Sequence, residues 1–156
     1  MTARRRHRAA RRTAVVVAAA AALAACAVPV DPDPIGDYTS WKRLDVRGPA
    51  PGHGDTYRVI YVNPTAADPA QSFVDGYAAG AVIVKEIRDD VDGSPGDLRY
   101  LAIMRRLPDD GDLPIQGGWL FSQASTPTAD ETHADFCWNR CHLAAPYRGA
   151  WYDYRQ

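Results

Sequence analysis

Ala81-Val82-Ile83-Val84-Lys85-Glu86-Ile87-Arg88 decides how this chain folds. The run is rich in β-branched residues, follows Gly80 and opens into the turn-forming stretch from Asp89 to Asp97, so it reads as a strand. A strand alternates its side chains, which puts Ala81, Ile83, Lys85 and Ile87 on one face and Val82, Val84, Glu86 and Arg88 on the other. Lys85 therefore falls on the more apolar face. An ammonium there is costly unless it reaches solvent, an acid or some other partner.

Working outward, Thr56-Tyr57-Arg58-Val59-Ile60-Tyr61-Val62-Asn63 has the same strand character and stops at Asn63-Pro64. Asp68-Pro69 suits the N-cap and first residue of a short helix toward Phe73 and Tyr77, with Gly76 and Gly80 breaking it. After the strand, residues 89 to 97, with Gly93-Ser94-Pro95-Gly96, are expected to be a loop leading to a third strand, Arg99 to Arg106. Gly117-Gly118-Trp119-Leu120-Phe121-Ser122 gives a fourth. Consecutive strands with modest connections predict an antiparallel sheet, and with the helices the class expected is α+β.

The last helix expected carries the most specific chemistry. Thr128-Ala129-Asp130-Glu131 has capping-box spacing and Pro146 bounds the far end. Between them runs Cys137-Trp138-Asn139-Arg140-Cys141-His142. Two thiols followed by an imidazole suit covalent haem c attachment, in which the sulfurs bond the porphyrin vinyl groups and His142 ligates iron. The usual spacing is Cys-x-x-Cys-His, so this motif is one residue longer than usual. A structural disulfide between Cys137 and Cys141 is the second reading, and zinc held by His133, Cys137 and Cys141 without a clear fourth ligand is the third. Only 14 residues follow His142 and none is methionine, which for haem points to an open sixth position on the iron.

The N-terminus reads as an export signal. Arg4, Arg5, Arg6, Arg8, Arg11 and Arg12 precede a short apolar core, Ala14 to Ala24, and Leu23-Ala24-Ala25-Cys26 is similar to a lipoprotein cleavage site. Residues 1–25 are thus expected to be removed, Cys26 to be lipidated, and residues 26–37, with Pro29, Pro32 and Pro34, to tether a domain spanning 38–156. Ordinary secretion after a small residue is the alternative. Loss of six of the 18 basic residues leaves 12 against 19 acidic ones in 131 residues, a net charge of −7. That charge argues against a nucleic-acid partner. Export to an oxidising compartment suits both haem c and a disulfide.

Several short motifs together resemble one family, the cytochrome P-460 and cytochrome c′-beta group of bacterial haem c proteins. They are His53-Gly54, Tyr61-Val62-Asn63-Pro64, Gly80 to Glu86, Gly118-Trp119-Leu120-Phe121, the cysteine and histidine motif, and Asp153-Tyr154. The resemblance implies an antiparallel β domain with packed helices and a haem held by the last one. In hydroxylamine-oxidising members a lysine makes an extra covalent bond to the porphyrin, and Lys85 matches its position. Related members bind nitric oxide without that bond. The function expected is a lipid-anchored, extracytoplasmic mono-haem c protein that binds or oxidises a small nitrogen species, hydroxylamine or nitric oxide, and exchanges electrons with a redox partner. The alternatives are a non-catalytic nitric-oxide-binding module and a haem-free lipoprotein. The cofactor-binding residues implied are Cys137, Cys141, His142 and Lys85, with His142 on the metal. The sequence identifies no catalytic base. Arg105 or Arg106, at a strand end, is considered for a haem propionate, and His53 for a loop contact near the haem.

Overall fold

The structure, a computed structural model, describes residues 29–50, 52–71, 76–108 and 113–156. The signal segment and Cys26 lie outside the described residues. The strands are β1 (Pro29–Val30), β2 (Lys42–Val46), β3 (Pro49–Ala50), β4 (Gly54–Asp55), β5 (Tyr57–Val62), β6 (Val82–Val91), β7 (Ser94–Arg106), β8 (Trp119–Ala124) and β9 (Glu131–His133). The helices are α1 (Pro64–Ala67) and α2 (Asp135–Arg140). Seven strands form one antiparallel sheet in the order β1-β9-β8-β7-β6-β5-β2, and β3 and β4 form a separate hairpin.

The expected antiparallel sheet with helices packed on it is there, but the fold is mainly β, with only two short helices, less helix than the expected α+β class implies. Helix α1 starts at Asn63, whose Oδ1 accepts from Ala66 N at 2.9 Å, with Pro64 at the first helical position; the helix expected from Asp68 toward Tyr77 runs through residues 72–75, which lie outside the described residues. The same Asn63 Oδ1 accepts from Val82 N at 3.0 Å, so one side chain ties the end of β5 to the start of β6. The expected capping box at Thr128 does not form. Glu131 spends its carboxylate on Arg105, with two contacts of 2.6 Å, and on Ser122, so its segment is the strand β9. His133 belongs to that strand, where its Nδ1 lies 3.0 Å from the Phe121 carbonyl.

The loop expected over residues 89 to 97 is almost entirely strand. Val91 pairs with Ser94, leaving a two-residue turn of Asp92 and Gly93, both at positive φ. An Asp-Gly pair takes that backbone at little cost, and its twist matches the flanking strands. Part of the presumed tether also packs onto the domain. Pro29 and Val30 pair with β9, while Ile35 and Tyr38 are buried under the sheet.

Both faces of the sheet are covered. One carries Ile60, Val62, Ile83, Met104, Trp119 and Phe121 under the C-terminal segment, with Tyr77, Ala150 and Tyr154. The other carries Val59, Tyr61, Val84, Leu101 and Ile103 under Ile35 and Tyr38. This division follows the period-two pattern, and it puts Lys85 with Ile83 and Glu86 with Val84.

Candidate functional site

Lys85 sits in the middle of the sheet, paired with Ile60 on β5 and Ala102 on β7. A narrow cavity of about 30 Å³ lies over it, with His53, Ile83, Met104, Phe121, Cys137, His142, Trp151 and Tyr152 among its walls. Three of the four residues expected at the cofactor, Lys85, Cys137 and His142, thus line one space. Cys141 does not line it but is an electrostatic neighbour of Lys85 and packs near the β3–β4 turn, where a Cβ on Gly52 would stand 3.9 Å from its Sγ.

The long spacing of the motif is absorbed by a break in the helix. A continuous helix turns about 100° per residue, so five residues after Cys137 the imidazole would face well away from that thiol. Helix α2 instead stops at Arg140; Cys141 adopts φ −134° and ψ −56°, and His142 opens a separate 3-10 turn. His142 is therefore not on the helix, contrary to expectation. The turn returns its ring to the cavity that Cys137 lines.

What holds His142 there is a reverse turn from Tyr147 to Ala150. The Gly149 carbonyl lies 2.6 Å from His142 Nδ1, and because a carbonyl can only accept, Nδ1 carries the proton. The lone pair then belongs to Nε2. Burial lowers the imidazole pKa to about 4, against the opposing effect of the Gly149 hydrogen bond, so the ring is neutral at physiological pH. Gly149 needs to be glycine: its φ is +95°, and a Cβ would come within 2.9 Å of the Trp119 indole. Trp119 fixes the same turn by donating from Nε1 to the Arg148 carbonyl at 2.8 Å. Trp138, inside the cysteine motif, lies against Gly117, where any Cβ would overlap its ring. The helix is thereby docked on β8.

Neither Cys137 nor Cys141 is in a disulfide. Burial pushes the Cys137 thiol up to about 11, with Lys85 pulling the other way, so it stays protonated near neutrality. Among the described residues no group of three His, Cys, Asp or Glu side chains has metal-holding geometry, which leaves the zinc reading without its cluster. The Lys85 ammonium is pushed down to about 8, first by burial and then by Arg58, while the two thiols act in the opposite sense. No carboxylate stands among the groups that set its charge. About a tenth of such an amine is neutral at pH 7.

The donor set suits a haem c. There are two free thiols, one neutral imidazole with Nδ1–H committed to a carbonyl, and a wall of aromatic and aliphatic side chains. The space is far smaller than a porphyrin, so loading requires its walls to move; Trp151 and Tyr152 are about half exposed. A family model described as cytochrome P460 matches residues 35–152. The chain belongs to the cytochrome P460 family. Membership implies a haem protein, and the cysteine pair of this P460 domain is consistent with covalent attachment. No curated protein matches the chain.

In this P460 family member, Arg105 does not face the site. It shares the opposite face with Leu101 and Ile103 and is bound by Glu131 and the Asp33 carbonyl. Arg106 donates to the carbonyls of Tyr77 and Leu107. His53 does reach the cavity, with Nδ1 3.0 Å from Tyr100 Oη, and burial lowers its pKa to about 4. Sequence reasoning did not single out Arg58, an electrostatic neighbour of Lys85 that lies on the same sheet face without lining the cavity. It is in phase with Ile60 and Val62, so the alternation that exposed Lys85 would have exposed Arg58 too.

Proposed function

We propose that this protein is a mono-haem c module that binds a small nitrogen species, nitric oxide or hydroxylamine, at an open iron position. The observation that carries the reading is the neutral His142, its Nδ1–H held by Gly149 and its ring lining the same cavity as Cys137 and Lys85. Cys137 and Cys141 would bond the porphyrin and His142 would donate Nε2 to its iron. When bound, the haem supplies a position for a small ligand and a store for one electron. The chain's own part is to fix the imidazole tautomer, strengthen His142 as a donor through the Gly149 carbonyl, and keep the ligand side dry. Beside Lys85, His53, Ser122, Cys137 and His142 the cavity walls are aromatic and aliphatic, and no carboxylate is among them, which favours binding over oxidation.

A second reading, hydroxylamine oxidation, is supported by Lys85. Its lowered pKa supplies a neutral amine, the form that bonds carbon, at the position where family resemblance implies the porphyrin cross-link. The proposed setting for either reading is outside the cytoplasm, with residues 1–25 removed, Cys26 lipidated and a redox partner meeting the exposed side of the site. The sequence motif around Cys26 and the basic start support that setting.

Mass spectrometry of the exported protein is the test. The expected product carries the mass of one haem beyond the chain from Cys26 and its lipid; a mature chain without haem would overturn the reading. A red-shifted Soret band that is lost in Lys85→Ala, together with hydroxylamine turnover, would favour the second reading.

A further inference from the structure

Arg58 and Thr56 share the site face of β5 and its approach with Ile60 and Val62. Arg58 is only 5% exposed and Thr56 fully buried, yet Arg58 Nη1 and Thr56 Oγ1 have no hydrogen-bond partner. Such atoms are uncommon in a folded protein, because each forfeits the hydrogen bonds it made in water. Nη2 of the same guanidinium donates to the Arg47 carbonyl at 3.1 Å, so the group is held in place with one edge unused. Arg58 pairs with Ile87, two residues beyond Lys85 on the same face, which makes Arg58 and Lys85 diagonal neighbours. Arg58 also acts electrostatically on His53, across the cavity wall. Positive charge and spare donors thus lie on the sheet face that carries the site, next to the cavity wall at Lys85, and among the described residues neither Arg58 nor Lys85 has an ion pair with a carboxylate.

We propose that Arg58 Nη1 and Thr56 Oγ1 form an oxyanion-binding subsite beside Lys85. A guanidinium edge donates to two oxygens of a planar anion, and the threonine hydroxyl adds a third donor. The occupant is a carboxylate or a small inorganic oxyanion. A porphyrin propionate is one source, and that source rests on the haem reading above; a free nitrogen oxyanion is the other. The subsite itself needs no haem, so the two ideas fail separately.

Nitrate is the probe, as a planar oxyanion that coordinates iron poorly. Its binding is measured by calorimetry on the wild-type chain in two forms, haem-attached and haem-free with reduced thiols, whose haem content is fixed by mass. Saturable binding to both forms, weakened about tenfold or more in Arg58→Gln, assigns the subsite to a free oxyanion. Saturable binding to the haem-free form alone, weakened in the same way, assigns it to the porphyrin carboxylate. Thr56→Val is the second variant, and it separates a ligand site from a structural one. Removing an unpartnered hydroxyl is expected to raise the thermal midpoint of the haem-free chain while weakening nitrate. No saturable binding to the haem-free wild type overturns the proposal. So does an affinity left unchanged by both variants.

Discussion

Lys85 and Glu86 are neighbours in the chain and opposites in the fold. Glu86, 4% exposed, is fully answered: Tyr38 donates to its Oε1 and Arg88 Nε to its Oε2, each at 2.7 Å. Across the sheet, Lys85 has Arg58 and two thiols for electrostatic neighbours, and Arg58 keeps a donor in reserve. One face therefore spends its polar groups on its own stability. The other leaves polar capacity unspent beside a cavity, which is how a ligand site differs from a core.

That contrast makes predictions of decreasing size. Glu86→Leu leaves the buried Tyr38 hydroxyl and the Arg88 guanidinium without their acceptor, and is expected to cost about 3 kcal/mol in urea unfolding. Gly149→Ala forces a positive φ on a residue with a Cβ and pushes that Cβ toward Trp119; a loss of about 2 kcal/mol is expected, read as a lower thermal midpoint. Lys85→Met in the haem-free chain should change stability by less than about 1 kcal/mol, in either direction, because it removes a charge with no carboxylate partner. A Lys85→Met loss as large as that of Glu86→Leu would break the comparison between the faces.

The remaining prediction is a pH dependence, read on a different axis from the substitutions above. The folded pKa of His53, about 4, lies below its ordinary value of 6.5, so between those values the unfolded chain binds more protons than the folded one. Stability should then be fully present above pH 6.5 and decline as pH falls toward 4. His53→Gln should reduce that slope for the haem-free chain, as followed by urea midpoints across the range, with the remainder coming from His142, whose imidazole is lowered to about 4 as well. An unchanged slope would mean that His53 is not buried in its neutral form.

Much of the fold was legible because strand alternation is a local property. The runs around Tyr57 to Val62, Val82 to Arg88 and Trp119 to Ser122 sit in strands, and the antiparallel order expected for them is the one found, although only β6 and β7 are joined by a tight turn. The Asp92-Gly93 turn was also written in the sequence, but the glycines and proline that follow it gave the whole stretch the look of a loop. The last helix was misplaced for a different reason. Thr128 to Glu131 has good capping spacing, yet Glu131 does more by pairing with Arg105, a residue 26 positions away. A local preference lost to a buried ion pair.

By itself, the sequence determined that Lys85 and Glu86 would face opposite ways, that two thiols and an imidazole would sit close together, and that the chain resembles a haem family. Backbone geometry and covalent order suffice for those. Only the tertiary structure decided how the extra residue between the cysteines is accommodated, which carbonyl sets the tautomer of His142, and that Arg58 and Thr56 keep unused donors on the site face. These depend on which distant groups meet, and on which polar atoms no neighbour reaches. A chain read residue by residue carries no record of either.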